Sequence, residues 1–403
     1  MRRTAAAVLL LYFAVCTLLT VSAIEPTLGN LQAFKTRTAA KGPQRVIVVL
    51  VEFPDKKHST SGETIGQIVF GDLNDFYREV SYGLMSITGD MTNRWYQTRT
   101  PLSKLDLEEW AFNSKDMKTF EREAIEAAGQ DLDYREYDFV ILVAAGRVWP
   151  HATCNFNVST KDGAGPLRGI VVNEDSPLGT YAHELGHVLP SNFEPRHSCG
   201  LPDLYSYEAS EKGQDPNIFV GPWDIMATSN PPKHFSAWSK MEFGWITPET
   251  LQLGTKIASP ITLQPLESDS GTRALVLSIS DTKSYVIEVR RQIGYDSNLP
   301  SEGVLVYLVD LSKGDGDGVV RVVNSRPETL TLDDASYKQG AFLADPTSDL
   351  YLAVAYANGV GYFTFSTGGN SQLTSDTNSV RLLYALLLLQ DERVLYILGH
   401  LWT

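Results

Sequence analysis

The segment HELGH, residues 183–187, sets two histidines four apart in one short stretch. On a helix that spacing stacks His183 and His187 on one face, one turn apart, with Glu184 beside them. Two neutral imidazoles in that arrangement suit Zn2+, and a carboxylate next to them suits a general base acting on water. The chemistry requires that the helix forms. Asp175 or Ser176 is placed to cap it, and Pro177 suits its first turn. A pair of imidazoles also leaves the cation short of protein ligands, so a third must return from elsewhere in the chain.

The residues ahead of the motif read as an α/β unit. RVIVVLVEF (45–53), YDFVILVAA (137–145) and RGIVVN (168–173) are apolar, β-branched runs bounded by turn formers, as buried strands are. Helical spacing of Ile65, Ile68, Val69, Leu73, Phe76 and Val80 predicts a helix over about 64–80, and another fits 117–128. Strands alternating with helices imply a mostly parallel sheet. Past about residue 250 the texture changes to short apolar segments (261–266, 275–279, 285–289, 304–309 and 350–356) between Gly, Asp, Ser and Pro clusters. That pattern predicts an antiparallel β-sandwich-like region, with a boundary near Pro248. The expected division is 45–247 for the α/β (α+β) unit, 248–365 for the β-rich region, and a tail of uncertain structure over 366–403.

Hydrophobic content of 43% against 20% charged residues belongs to a chain with a packed core. At the N-terminus, MRR precedes an apolar run that ends in small residues at 21–23, the pattern of a secretory signal peptide. An uncleaved signal anchor is the alternative, and only then is stable membrane association expected. Loss of residues 1–23 removes two arginines and no acid, taking the formal charge from −14 to −16. Such a chain is not built for nucleic acid or anionic membrane. Residues 24–44 read as a linker or propeptide remnant. Asn157-Val158-Ser159 is a glycosylation sequon, consistent with a glycosylated surface loop. With Cys16 inside the signal, parity leaves Cys154 and Cys199 as a single bridge or as two free thiols.

A literal HExxHxxGxxH register fails here, because it places Pro190 at the glycine and Phe193 at the ligand. GLPDLY follows instead, at 200–205. Excising residues 190–199 gives HELGHVLGLPDLY, which resembles the HEFGHxLGLPDxY motif of the immune inhibitor A family of secreted metallopeptidases. The segments VIVVLVEFPD (46–55), DLNDFYREVSYGLMSITGDM (72–91), GPWDIMA (221–227), HFSAWSKMEFGWI (234–246) and YVIEVRRQIGYDSNLPSEGVLVYLVD (285–310) are similar to that family in the same order. The resemblance implies a metzincin-like catalytic domain acting on protein or peptide substrates. It makes His183, His187 and Asp203 the zinc ligands, Glu184 the base, and Met226 the methionine turn beneath the metal.

The ten-residue insertion at 190–199 separates the second histidine from the glycine, and it keeps His197 and Glu208 open as third ligands beside Asp203. If the insertion displaced the third ligand, a secreted binding or adhesion protein on an inactive peptidase fold would be the alternative. His234 is a candidate oxyanion donor, with a structural role the competing reading, while His58, His151 and His400 lack ligand spacing. Asp310, Asp315 and Asp317 in DLSKGDGDG offer a Ca2+ loop without EF-hand spacing, against a plain hairpin turn.

Overall fold

The computed structural model describes residues 40–107, 114–154, 156, 158–160, 163–165, 168–193, 199–252, 261–329, 331–338, 341–345, 350–357 and 359–367. The signal and residues 24–39 of the linker, the sequon asparagine, His197, His400 and the tail beyond Thr367 lie outside these residues. The chain is a mixed α and β structure with several sheets and few helices.

The first sheet has the order β2 (Met85–Met91), β1 (Gly42–Glu52), β4 (Phe139–Ala144), β8 (Gly169–Asn173), β5 (His151–Thr153). A two-residue strand, β3 (Tyr96–Gln97), also pairs with β1, and a small hairpin of β6 (Val158–Thr160) and β7 (Gly163–Gly165) stands apart. Pairing is parallel from β2 through β8. Strand β5 closes the edge antiparallel to β8. Residues 42–44, expected in the linker, extend β1 instead, because Gly42 to Gln44 stay in register with Met85 to Ile87 of β2.

Strand β1 is apolar from Val46 to Val51 because both of its faces are covered there. Val46, Val48 and Leu50 enter one core, while Ile47, Val49 and Val51 enter the other. Each such side chain contributes about 1.5–3 kcal/mol on burial. The second face carries α3 (Lys115–Ala128), capped by Ser114, whose side chain accepts from the Met117 amide. The first face carries a helix that begins as α1 (Gly62–Gly66), widens into a π-helical segment (Gln67–Leu73) and ends as α2 (Asn74–Val80). Its four-residue steps from Ile65 through Val69 to Leu73 are all fully buried. Ile68 is only partly covered.

The motif helix, α4 (Leu178–Gly186), follows β8 directly and packs on the same face. Neither expected cap holds it. Pro177 occupies the cap position without a side-chain bond, and Ser176 Oγ instead accepts from the Asn173 amide at 3.0 Å. Tyr77 of α2 locates α4 by donating its hydroxyl to the Ala182 carbonyl at 2.7 Å. Two short helices follow, α5 (Tyr207–Glu211) and α6 (Ala237–Glu242).

The remaining strands form two sheets. One has the order β14 (Val320–Val322), β13 (Gly303–Asp310), β12 (Lys283–Arg290), β11 (Ala274–Ser278), β9 (Glu249–Gln252). The other has the order β10 (Ile261–Leu263), β17 (Val360–Thr367), β16 (Leu350–Ala357), β15 (Phe342–Asp345). All pairs are antiparallel except β9 with β11. Leu275, Leu277, Tyr285 and Ile287 pack against Leu263, Leu352 and Phe363 between the two sheets. The opposite face, with Val276, Val286, Leu305 and Tyr307, joins the core that holds α4, so the apolar interior runs unbroken into the first unit. Among the described residues no helix is long and apolar enough to cross a membrane.

Candidate metal centre

Helix α4 ends at His187, its C-cap, and the chain must leave the helix axis there. His183 lies one turn earlier, and the two Nε2 atoms approach to 3.1 Å. Each ring is fixed from behind. His183 Nδ1 lies 2.9 Å from the Ile225 carbonyl oxygen, and His187 Nδ1 lies 2.7 Å from that of Leu201. A carbonyl only accepts, so both Nδ1 atoms carry the proton and both Nε2 lone pairs point at each other. That opposition is unfavourable unless something positive stands between them.

Asp203 completes the group. Its Oδ1 lies 3.0 Å from His183 Nε2 and 3.3 Å from His187 Nε2, and it is a buried acceptor with no hydrogen bond of its own. Among the described residues, His183, His187 and Asp203 are the one group of three metal-ligating side chains whose ligand atoms converge. All three are buried. Two imidazole nitrogens and a carboxylate oxygen suit a divalent cation by their donor chemistry.

The electrostatics make the same demand. Burial opposes charge on Asp203, yet the two imidazoles hold its carboxyl well below the usual range. Burial likewise opposes protonation of the histidines, but Asp203 raises both, His187 up to about 10. A proton shared among these atoms and a bound cation neutralise the same negative potential. Glu184 is buried beside them. Burial, with the Asp203 charge added, pushes its carboxyl above the ordinary value against the pull of the imidazoles, which strengthens it as a base.

The insertion does not carry Asp203 away, because the chain is brought back at its end. Gly200 passes so close over the helix terminus that an added Cβ would lie 2.5 Å from the Gly186 oxygen and 2.6 Å from the His187 carbonyl carbon. The next amide, Leu201 N, then donates to the Gly186 carbonyl at 3.0 Å, satisfying a group the helix end leaves open. A disulfide between Cys154 and Cys199 ties this return to the end of β5, settling the cysteine alternatives in favour of the bridge.

Met226 is fully buried under α4, where a Cβ on Gly186 would strike its sulfur at 2.7 Å. The turn it belongs to is built by Asp224, which accepts from the Met226 amide at 2.8 Å and from Ser236 N and Ser239 Oγ at 2.8 and 2.7 Å. Adjacent carbonyls of this turn hold both halves of the centre: Ile225 takes His183, and Met226 takes the Leu204 amide at 2.9 Å. GPWDIMA drew notice in the sequence for its methionine, but its aspartate is what shapes the loop.

Other candidates fall elsewhere. Glu208 is not a ligand: Ser206 caps α5 by accepting from the Ala209 amide, and this turns Glu208 outward to pair with Lys212. His197 lies outside the described residues. His234 is buried among fixed partners, with Nε2 3.1 Å from Glu79 Oε1 and Nδ1 2.9 Å from Lys240 Nζ, so it is a structural histidine and not an oxyanion donor. The candidate Ca2+ carboxylates Asp310, Asp315 and Asp317 do not converge, in line with the hairpin-turn reading. Asp310 binds Ser312 and Lys283, while Asp315 Oδ1 accepts from the Asp203 amide at 2.5 Å.

Sequence reasoning missed Tyr207, whose hydroxyl donates to Asp203 Oδ2 at 2.6 Å, and took Asp315 for a calcium or turn residue when it accepts from the Asp203 amide. The only signal for either was the run of aromatic and acidic residues after GLPD and in DGDG. A scan against models of known protein families and a search of curated proteins return no match to this chain.

Proposed function

We propose that this chain is a secreted, zinc-dependent endopeptidase with a metzincin-like catalytic unit, of the kind the immune inhibitor A resemblance implies. The observation that carries the reading is the convergence of His183 Nε2, His187 Nε2 and Asp203 Oδ1, with the buried Glu184 next to His183 in sequence. A bound zinc ion supplies Lewis acidity toward a peptide carbonyl and lowers the pKa of water.

The rest falls to the protein. Glu184 takes a proton from the attacking water on its carboxylate and delivers it to the departing amine nitrogen. Carbonyl bonds to Nδ1 keep both imidazoles in the tautomer whose Nε2 faces inward. Strand β5, at the end of the sheet and immediately before the disulfide's Cys154, offers an edge along which an extended peptide adds as a further strand. A disulfide and an apolar, basic-headed N-terminus both agree with export. The return of Asp203 to the imidazoles favours the enzyme over an inactive binding protein.

The test is elemental analysis of the purified protein together with casein cleavage. Stoichiometric zinc and proteolysis are expected from the wild type. Glu184→Gln should retain the zinc and lose at least about 100-fold in rate, the lower end of what a general base contributes. Cleavage by this variant at the wild-type rate would remove Glu184 from its role.

A further inference from the structure

Asp203 has neither helix nor strand to orient it: residues 201–206 carry no regular secondary structure. Its orientation comes from contacts, and both hydrogen bonds to its backbone arrive from the β-rich region. The loop between β13 and β14 reaches the centre across more than a hundred residues of sequence. Asp203 N donates to Asp315 Oδ1 at 2.5 Å, and Gly316 N donates back to the Asp203 carbonyl at 3.3 Å. Both peptide groups flanking the ligand are thus held by two consecutive residues of that loop. Tyr207 closes the ring. Its amide donates to the Gly316 carbonyl at 3.2 Å, and its hydroxyl takes Asp203 Oδ2 at 2.6 Å. With the backbone and the outer oxygen fixed, Oδ1 is left facing the imidazoles.

Gly316 shows how closely the loop is fitted. Its φ is +67°, and a Cβ there would fall 2.3–2.6 Å from three ring atoms of Tyr207. Two residues earlier, Gly314 has nothing within 4 Å of the same position. The tip has room, and only the part that meets the ligand is tight.

We propose that Asp315 is a positioning residue for the third metal ligand, and that the β13–β14 loop is a built part of the metal centre. This inference rests on the proposed zinc site. It assigns the β-rich region a part in holding the cation, since the ligand loop takes its shape from that region. Outer partners of metal ligands are typically worth about 10–100-fold in metal affinity.

The experiment is a Zn2+ titration of the full chain in competition with a chromophoric chelator, run beside thermal unfolding of the metal-free protein. Asp315→Ala should weaken Zn2+ binding by about 10–100-fold. Asp315→Asn keeps an oxygen acceptor for the Asp203 amide and should recover most of that loss. Tyr207→Phe keeps the ring packing, removes the single bond to Oδ2, and should weaken binding even if Asp315→Ala does not fold. Gly314→Ala should bind as the wild type does. Wild-type affinity in both Asp315→Ala and Tyr207→Phe overturns the proposal, as does an Asn variant no better than Ala. If the wild type itself takes up no zinc, the metal reading fails along with it; a zinc-binding wild type with indifferent variants sinks this inference alone.

Discussion

His187 Nδ1 lies 2.7 Å from the carbonyl oxygen of Leu201, fourteen residues further along the chain. One bond therefore orients an imidazole of the candidate metal centre and anchors the stretch of chain that carries Asp203. It exists because Gly200 allows that chain to lie directly on the end of α4.

Gly200→Ala follows from that contact. The new Cβ would meet backbone atoms of Gly186 and His187 at 2.5–2.7 Å, and backbone at a helix end cannot rotate out of the way as a side chain can. The return segment must lift, moving Leu201 O from His187 and Asp203 Oδ1 from both rings. Zinc affinity should fall at least about 10-fold, in the range for lost support of a ligand. An unchanged affinity in a chelator competition would show that the close approach is incidental.

The Cys154–Cys199 bridge closes a loop with a sequence separation of 45, and it joins the edge strand to the residue just before Gly200. Chain-entropy reasoning puts its stabilisation at about 4 kcal/mol at most. The Cys154→Ser, Cys199→Ser double variant, or reduction of the wild type, should lower the thermal midpoint by several degrees and loosen zinc binding. The two effects belong together, since the bridge holds the start of the ligand segment. A midpoint that ignores reductant would deny the bridge a structural part.

Elements that bury both faces were legible because their pattern is local: the continuous apolar runs of β1, β4 and β8 announce themselves whatever surrounds them. Strand β2, MSITGDM, was not legible, since it lies at the sheet's end with only two of its seven residues buried. The histidine pair and Glu184 could be read from spacing alone. Asp203 could be found only by setting aside ten residues, and the fact that makes this legitimate, Gly200 lying on the helix end, is a contact that no spacing encodes. Asp315 was read as a calcium or turn residue because its partner is 112 positions away. Ser176 looked like a cap by type, but its hydroxyl turns back to Asn173 and leaves the cap position to Pro177.

Lys240 should give the protein a stability that rises with pH above neutrality. Burial depresses its ammonium from the ordinary value of 10.5 to about 7, with Arg290 assisting and Asp296, Glu267 and Glu288 opposing. Its Nζ lies 2.9 Å from both Tyr82 Oη and His234 Nδ1. Between about 7 and 10.5 the unfolded chain therefore holds a proton on this lysine that the folded chain has released. Folding is favoured as protons are withdrawn, so this group's penalty is full below about 7 and fades as pH rises through that window. Urea unfolding from pH 7 to 9.5 should show the wild type gaining stability relative to Lys240→Met. Parallel curves for the two proteins would contradict the assignment.

Arg290 joins the β-rich region to the turn beneath the metal centre, and its removal should be the most destabilising single change outside the site. Its side chain is fully buried. Nη2 lies 2.6 Å from Asp296 Oδ2, Nη1 lies 3.0 Å from Glu288 Oε1, and Nη1 also donates to the Trp223 carbonyl at 2.7 Å, one residue before Asp224. Burial opposes charge on Asp296, but the guanidinium outweighs it and holds that carboxyl below its usual value. Arg290→Met leaves this carboxylate buried without its cation, a loss of about 3–5 kcal/mol for a broken interior pair. Lysine should not substitute, because a single ammonium cannot serve the three carboxylates of Glu267, Glu288 and Asp296 and a carbonyl in the planes the guanidinium occupies. Adding Asp296→Asn to Arg290→Met removes the stranded charge and should return part of the loss, a coupling that a double-mutant cycle in urea measures directly. If Arg290→Met costs less than about 1 kcal/mol, or if the second substitution adds its own full penalty, the pair is not the stabilising interior ion pair that its geometry describes.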